Sequence, residues 1–209
     1  MCVSFMFHRQ MKLQPKKTYE QNMNEEFNKQ FSLSREYYVR QLDFLNWFRF
    51  FYLIKDTLRL GCKLVMEVGV GSGMVRSCLV PHVDEYRVLD INPKLKPDLV
   101  ADVRESLPIL IARFDCIIAA DVLEHLPFSE LPIVIRNFFS YLKPGGHALI
   151  TIPHRQSNFL FMSPRQIPHV IAVPTGFLSW GAFYRRFIKR KIWIDPSHCW
   201  EIGDGRVKI

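Results

Sequence analysis

The stretch "LVMEVGVGSGMVRSCL", residues 64–79, constrains the fold more than any other. The apolar run from Leu64 to Val68 suits a strand covered on both faces, as in parallel sheets. Glycines at 69, 71 and 73 follow at once. Without a Cβ they let the backbone turn sharply and let a ligand come close. Residues Ser72 to Val80 then read as a helix ended by Pro81. Strand, glycine turn and helix in succession form a nucleotide-binding arrangement. The dinucleotide fingerprint G-x-G-x-x-G fails here, because its last position falls on Met74 or Arg76. No Gly-Lys-Ser/Thr follows either, which excludes a phosphate-binding loop of the Walker type. The spacing is G-x-G-x-G, with Glu67 two residues upstream of Gly69, and it argues against a dehydrogenase.

The same alternation continues down the chain. Tyr86–Leu89 and Leu99–Ala101 read as short strands, and Phe114–Ala120 as a longer buried one. Ser129–Leu142 reads as a helix with Ser129 as its cap, "LKPGG" at 142–146 as a turn, and His147–Ile152 as a fifth strand. Strands alternating with helices predict an α/β fold: a Rossmann-like, doubly wound, mostly parallel sheet. Upstream, Tyr38, Leu42, Leu45, Phe48, Tyr52 and Leu53 recur at three- and four-residue steps, which predicts one helix from Ser34 to Leu60 stopped by Gly61.

Ligands of open α/β sheets bind beyond the carboxyl ends of the strands. Four successive strand ends here carry Gly or Asp: Gly69, Asp90, Asp102 and Asp121. Asp90 follows Gly69 by about 20 residues, the offset of a ribose-reading carboxylate. Asp is a common turn residue, so each is unremarkable alone. The ordered set is what points to a site.

As an ordered set, "EVGVGSG", "LDINP", "ADVRESLP", "FDCIIAADVLEHLP" and "YLKPGGHALITIP" resemble the successive motifs of class I S-adenosylmethionine-dependent methyltransferases. "VLEHLP" and "LKPGG" resemble the small-molecule branch called type 11. The match covers about residues 61–153. The resemblance implies a seven-stranded Rossmann-like sheet ending in an antiparallel hairpin, with S-adenosyl-L-methionine as cofactor. It implies that Gly69, Gly71 and Gly73 wrap the methionine part, with Glu67 beneath the loop. Asp90 would hold the ribose, Ile91 would pack on the adenine, and Asp102 and the Val103 N–H would meet the adenine edge. Ala120, Asp121 and Val122 would line the methyl-donor side. "ADVLEH" stands where methyltransferases of nucleic-acid bases carry an Asn/Asp-Pro-Pro-aromatic motif, so the implied acceptor is a small or lipid-like molecule.

Three histidines are candidate bases. His154 follows the fifth strand and His198 lies near Glu201, and these two are the expected catalytic residues; His125 is expected to serve a structural hydrogen bond. The chain divides into an N-terminal arm and helix (1–60), the cofactor-binding core (61–153) and an acceptor-side part (154–209). That last part is proline-rich at first and shows no convincing final hairpin, although "RVKI" at the end suits one strand. A missing hairpin supports a second reading, a catalytically silent protein of this fold acting as a binding or regulatory module. It would also leave the sheet edge short.

Net charge matters for partners. At +8 the chain favours anionic surfaces, yet no basic run is interleaved with a nucleic-acid-binding motif. Residues 176–193 combine an aromatic helical face with Arg185, Arg186, Lys189, Arg190 and Lys191, which suits packing, a lid or peripheral membrane contact. The five cysteines form no C-x-x-C pair, so the spacing of a structural zinc site is absent. An odd, scattered set fits a reducing compartment, and the start has the charge order of no secretory signal, so the expected location is cytoplasmic.

Overall fold

The computed structural model describes residues 33–153, 156–162, 168–174 and 198–202. Five strands form one sheet: β1 (Leu64–Val68), β2 (Glu85–Asp90), β3 (Leu99–Val100), β4 (Phe114–Ala120) and β5 (Leu142–Thr151), in the order β3-β2-β1-β4-β5. All four pairings are parallel. Strand order reverses between β1 and β4, so the crevice beyond their carboxyl ends is the topological switch point.

Alternation along β1 explains the two cores. Val65 faces the layer formed by helix α2 (Phe44–Arg59) and helix α3 (Met74–Leu79), where it packs with Leu53, Val75, Leu79 and Val88. Met66 and Val68 point the other way, into a cluster with Val134, Phe138 and Tyr141 of helix α4 (Leu131–Tyr141). Sheet strands covered on both faces are mostly apolar, which is why β1 and β4 are apolar apart from Glu67 and Asp115.

Several local expectations are corrected. The N-terminal helix is two helices, α1 (Arg35–Arg40) and α2, broken at Gln41–Asp43. Asp43 caps α2 by accepting from the Asn46 N–H at 2.8 Å, and Ser34 caps α1. The helix after the glycine turn begins at Met74 rather than Ser72; it ends at Leu79 with Val80 as its cap, ahead of Pro81 as expected, and a 3-10 turn over Val80–His82 follows. Ser129 is no cap. It lies in a 3-10 turn, Phe128–Glu130, and α4 begins at Leu131 with Pro132 in its first turn. "LKPGG" is not a turn ahead of the strand but a bulge inside β5, where pairing jumps from Phe114↔Leu142 to Cys116↔His147.

The C-terminal part also differs from expectation. Strands β6 (Gln156–Met162) and β7 (Pro168–Pro174) form an antiparallel pair, running from Gln156↔Pro174 to Met162↔Pro168. The hairpin therefore exists, but as a two-stranded sheet of its own rather than as strands six and seven of a seven-stranded sheet. Among the described residues the five-stranded sheet therefore ends at β5, and its edge is short on that side, as the sequence led one to expect. The segment 176–193, "RVKI" and the N-terminal arm up to residue 32 lie outside the described residues.

Residues 198–202 close back on the core. Trp200 is buried, and its Nε1 donates to the carbonyls of Leu123 (3.2 Å) and Leu126 (3.1 Å). The Cys199 N–H donates to the Glu124 carbonyl at 2.7 Å, and the Ile202 N–H to that of Pro153 at 3.1 Å. Among the described residues no helix is long and apolar enough to cross a membrane.

Candidate functional site

A cleft of about 740 Å³ opens at the carboxyl end of the sheet. The strand ends supply its floor: Glu67, Gly69, Gly71 and Gly73 at the end of β1, Asp90 and Ile91 at that of β2, Asp102 and Val103 beyond β3, and Ala120, Asp121 and Val122 at the end of β4. Every residue expected to hold a cofactor thus lines one cavity, together with His198. His154 lies outside the described residues.

The glycine loop is held from below and left open above. The Gly69 N–H donates to the Leu89 carbonyl at 2.8 Å, and the Gly73 N–H to that of Val70 at 2.9 Å. All three glycines have positive φ, at 87°, 48° and 76°. A Cβ on Gly69 would meet Val122 Cγ2 at 2.8 Å, and one on Gly73 would meet the Arg35 guanidinium at 2.6 Å. A Cβ on Gly71 would meet nothing within 4 Å. Gly71 is therefore glycine for its φ and for the space above it, not for a close protein neighbour.

Asp90 has two duties. Its Oδ2 accepts from the Val70 N–H at 2.7 Å and its Oδ1 from the Asn92 N–H at 2.8 Å. It pins the glycine loop to the end of β2 while each oxygen keeps a lone pair for a ligand. Asp102 is gripped by Arg104, whose Nε lies 2.9 Å from Oδ1 and whose Nη1 reaches Glu130 at 2.8 Å. That hydrogen-bonded guanidinium holds the Asp102 carboxyl below its usual range. The Asn137 side chain donates to the Val103 carbonyl at 3.0 Å and fixes the loop after β3.

Glu67 is buried beneath the loop, and Tyr86 Oη donates to its Oε2 at 2.9 Å. Burial pushes its carboxyl up to about 8, with Arg76 pulling the other way and Asp90 adding to the rise. Burial disfavours the charged form more than these neighbours favour it.

The far wall comes from residues the sequence reading passed over. Tyr38 of α1 and Arg49 of α2 both line the cleft. Burial raises the Tyr38 hydroxyl to about 12. Arg49 Nη1 meets Asp121 Oδ2 at 2.6 Å, and Asp121 Oδ1 accepts from Thr151 Oγ1 at 3.0 Å. Asp121 sits at φ 53°, a left-handed conformation that Asp tolerates better than most residues.

Beside Asp121 stands Glu124, wholly buried, with no hydrogen-bond partner for either carboxylate oxygen among the described residues. Burial, reinforced by the Asp121 charge, drives its carboxyl well above the usual range. His125 and His198 stack edge to face next to it, ring centroids 5.2 Å apart. His198 Nδ1 pairs with Glu201 Oε1 at 2.8 Å. His125, expected to be structural, is therefore part of this wall. Only the neighbouring "EH" of "VLEHLP" could have signalled it, since His198 arrives from far along the chain.

Comparison with known proteins places this geometry in a family. A family model described as "methyltransferase domain" matches residues 46–198. The ubiquinone biosynthesis O-methyltransferase of Ralstonia nicotianae is 25% identical over 147 residues, covering 63% of this chain and 61% of that protein. The ribosomal RNA small subunit methyltransferase A of Thermobifida fusca is 24% identical over 137 residues, covering 59% of this chain and 47% of that protein. The chain thus spans less than two thirds of the length of these curated relatives. Among solved structures, the N-methyltransferase NodS from Bradyrhizobium japonicum in complex with S-adenosyl-L-homocysteine is 15% identical with a TM-score of 0.49, covering 72% of this chain and 96% of that one. The family match reaches from Asn46 in α2 to His198 on the far wall, taking in the five-stranded sheet and the strand ends that floor the cleft, and so the chain belongs to the methyltransferase domain family.

Proposed function

We propose that the chain transfers a methyl group from S-adenosyl-L-methionine to a small or lipid-like acceptor. One observation carries this reading: residues from four separate strand ends line a single cleft at the switch point. The residues present fit such a cofactor. The space above Gly71 admits a ligand against the backbone, and the Asp90 carboxylate keeps acceptor capacity for two ribose hydroxyls. Relatives named as ubiquinone biosynthesis O-methyltransferases support a small-molecule acceptor.

When bound, the cofactor supplies a sulfonium methyl that leaves with sulfur keeping the electron pair, while the acceptor forms the new bond and gives up any proton it must lose. The protein's part is alignment. Gly69 to Gly73 wrap the methionine portion, and Glu67 supports the loop from below, where a nearby ammonium would favour its ionised form. Asp90 orients the ribose. Ile91 packs on the adenine, with Asp102 and the Val103 N–H at its edge. Ala120, Asp121 and Val122 line the donor side. Glu124, His125 and His198 form the acceptor end, and His154 follows β5. Orientation of two reactants accounts for much of such a rate gain.

The experiment is calorimetric titration with S-adenosyl-L-homocysteine, with NAD as the control. The expected result is one site for the former and none for the latter. Gly71→Val should weaken binding at least tenfold, because a branched side chain fills the open face of the loop. Equal affinity in wild type and variant would overturn the assignment.

A further inference from the structure

A carboxylate with no partner, buried in a cleft, is an anomaly that asks for one. Buried polar atoms are almost always satisfied, and exceptions mark function or an ion. Glu124 is 0% exposed and both its oxygens lack a hydrogen-bond partner among the described residues. A carboxylate oxygen of Glu124 and one ring nitrogen each of His125 and His198 lie within 4.8 Å of one another. We propose that Glu124, His125 and His198 bind a divalent first-row transition-metal ion, with Glu201 orienting His198.

The ligand chemistry is specific. Two imidazoles and one carboxylate make a borderline donor set, which suits Zn²⁺ or Mn²⁺ better than the all-oxygen preference of Mg²⁺ and Ca²⁺. Glu201 Oε1 at 2.8 Å from His198 Nδ1 forms a carboxylate–histidine pair. A carboxylate accepts, so the proton sits on Nδ1 and the Nε2 lone pair is left for the ion. Ligands at 2.0–2.2 Å from an ion stand roughly 3–3.5 Å apart, so closing the cluster takes side-chain adjustments of about 1 Å.

The fold holds the three ligands on two rigid supports. Glu124 and His125 occupy a 3-10 turn, Leu123–His125, directly after the β4 end. His198 is brought in by Trp200, anchored on the carbonyls of Leu123 and Leu126, and by the Cys199–Glu124 backbone bond. The ion would therefore tie the returning chain to the sheet's working edge. With three ligands from the described residues, coordination positions stay open, as in metal sites that handle a substrate rather than merely brace a fold. All three residues line the same cleft as the glycine loop, so those positions face it. Resting on the methyl-transfer reading, they would hold an oxygen of the acceptor.

The test uses the full chain, stripped with chelator and titrated by calorimetry with Zn²⁺, Mn²⁺ and Mg²⁺ in separate runs. The expected result is one ion per chain, with Mg²⁺ at least tenfold weaker than Zn²⁺. Glu124→Gln and His198→Ala should each weaken Zn²⁺ by tenfold or more, and Glu201→Gln by about tenfold. Cobalt(II) added to the wild type reports the ligands without any variant, through ligand-field bands of a nitrogen–oxygen site. Water-proton relaxation in the Mn²⁺ form should show an exchangeable water on the ion, the mark of an open position. A stoichiometry well below one, bands of hexaaqua cobalt, or affinity unchanged in both ligand variants would overturn the proposal. S-adenosyl-L-homocysteine titrated into the metal-free chain keeps the two readings apart, because its binding does not depend on the ion.

Discussion

Replacing Glu67 by Gln should make the ligand-free protein more stable, and increasingly so as pH rises. Glu67 is 4% exposed, and burial pushes its carboxyl from 4.5 up to about 8. Between those values the folded chain holds a proton that the unfolded chain releases. Stability due to the neutral carboxyl is therefore full below about pH 4.5 and is lost as pH climbs through about 8. At about 1.36 kcal/mol per pH unit, the gap between folded and unfolded values corresponds to about 3–5 kcal/mol. Gln keeps an oxygen for the Tyr86 hydroxyl and cannot ionise, so packing and hydrogen bonding change little. Urea unfolding of both proteins at steps from pH 5 to 8.5 is the assay. Near pH 5 the two should agree within about 1 kcal/mol, and by pH 8.5 the variant should lead by about 3–5 kcal/mol. A difference that stays constant across that window would refute the reasoning, because it would mean that Glu67 is already ionised in the folded protein.

Asp90→Ala should cost stability as well as cofactor binding, by about 1–3 kcal/mol, because the Val70 and Asn92 N–H groups lose their acceptor. Asp90→Asn keeps one acceptor oxygen and should recover part of the stability in urea unfolding without recovering S-adenosyl-L-homocysteine affinity. Trp200→Ala should lower stability by about 3–5 kcal/mol, read from the denaturant midpoint. It should also weaken Zn²⁺ binding, since His198 depends on that anchor.

The parallel sheet and the cofactor cleft were legible because their signals are local. β1 and β4 are apolar apart from the buried Glu67 and from Asp115 near the start of β4, as burial on both faces favours, and Gly and Asp sit at the ends where the chain must turn. Other features depend on contacts between distant parts of the chain. Apolar spacing runs unbroken through Leu42, so the gap between α1 and α2 is visible only from Asp43 acting as a cap. Prolines at 168 and 174 resemble loop punctuation, yet they fall at the two ends of β7, where the ladder tolerates them. Arg49 meeting Asp121, and His198 meeting Glu124 and His125, join segments that no sequence window contains together. Glu124 itself reads as an ordinary charged turn residue until its burial is known.

The hydrogen bond from Ile202 to Pro153 has a consequence for how such a chain can change over generations. Everything between those two residues departs from and returns to a single point. The cost of closing a flexible loop grows only as the logarithm of its length, about 0.6 kcal/mol per doubling. Residues could be added to or removed from 154–197 with little effect on the stability of the sheet beneath, provided that Cys199 and Trp200 keep their bonds to Glu124, Leu123 and Leu126. The length of chain between those points can drift while the strand ends that line the cleft stay put.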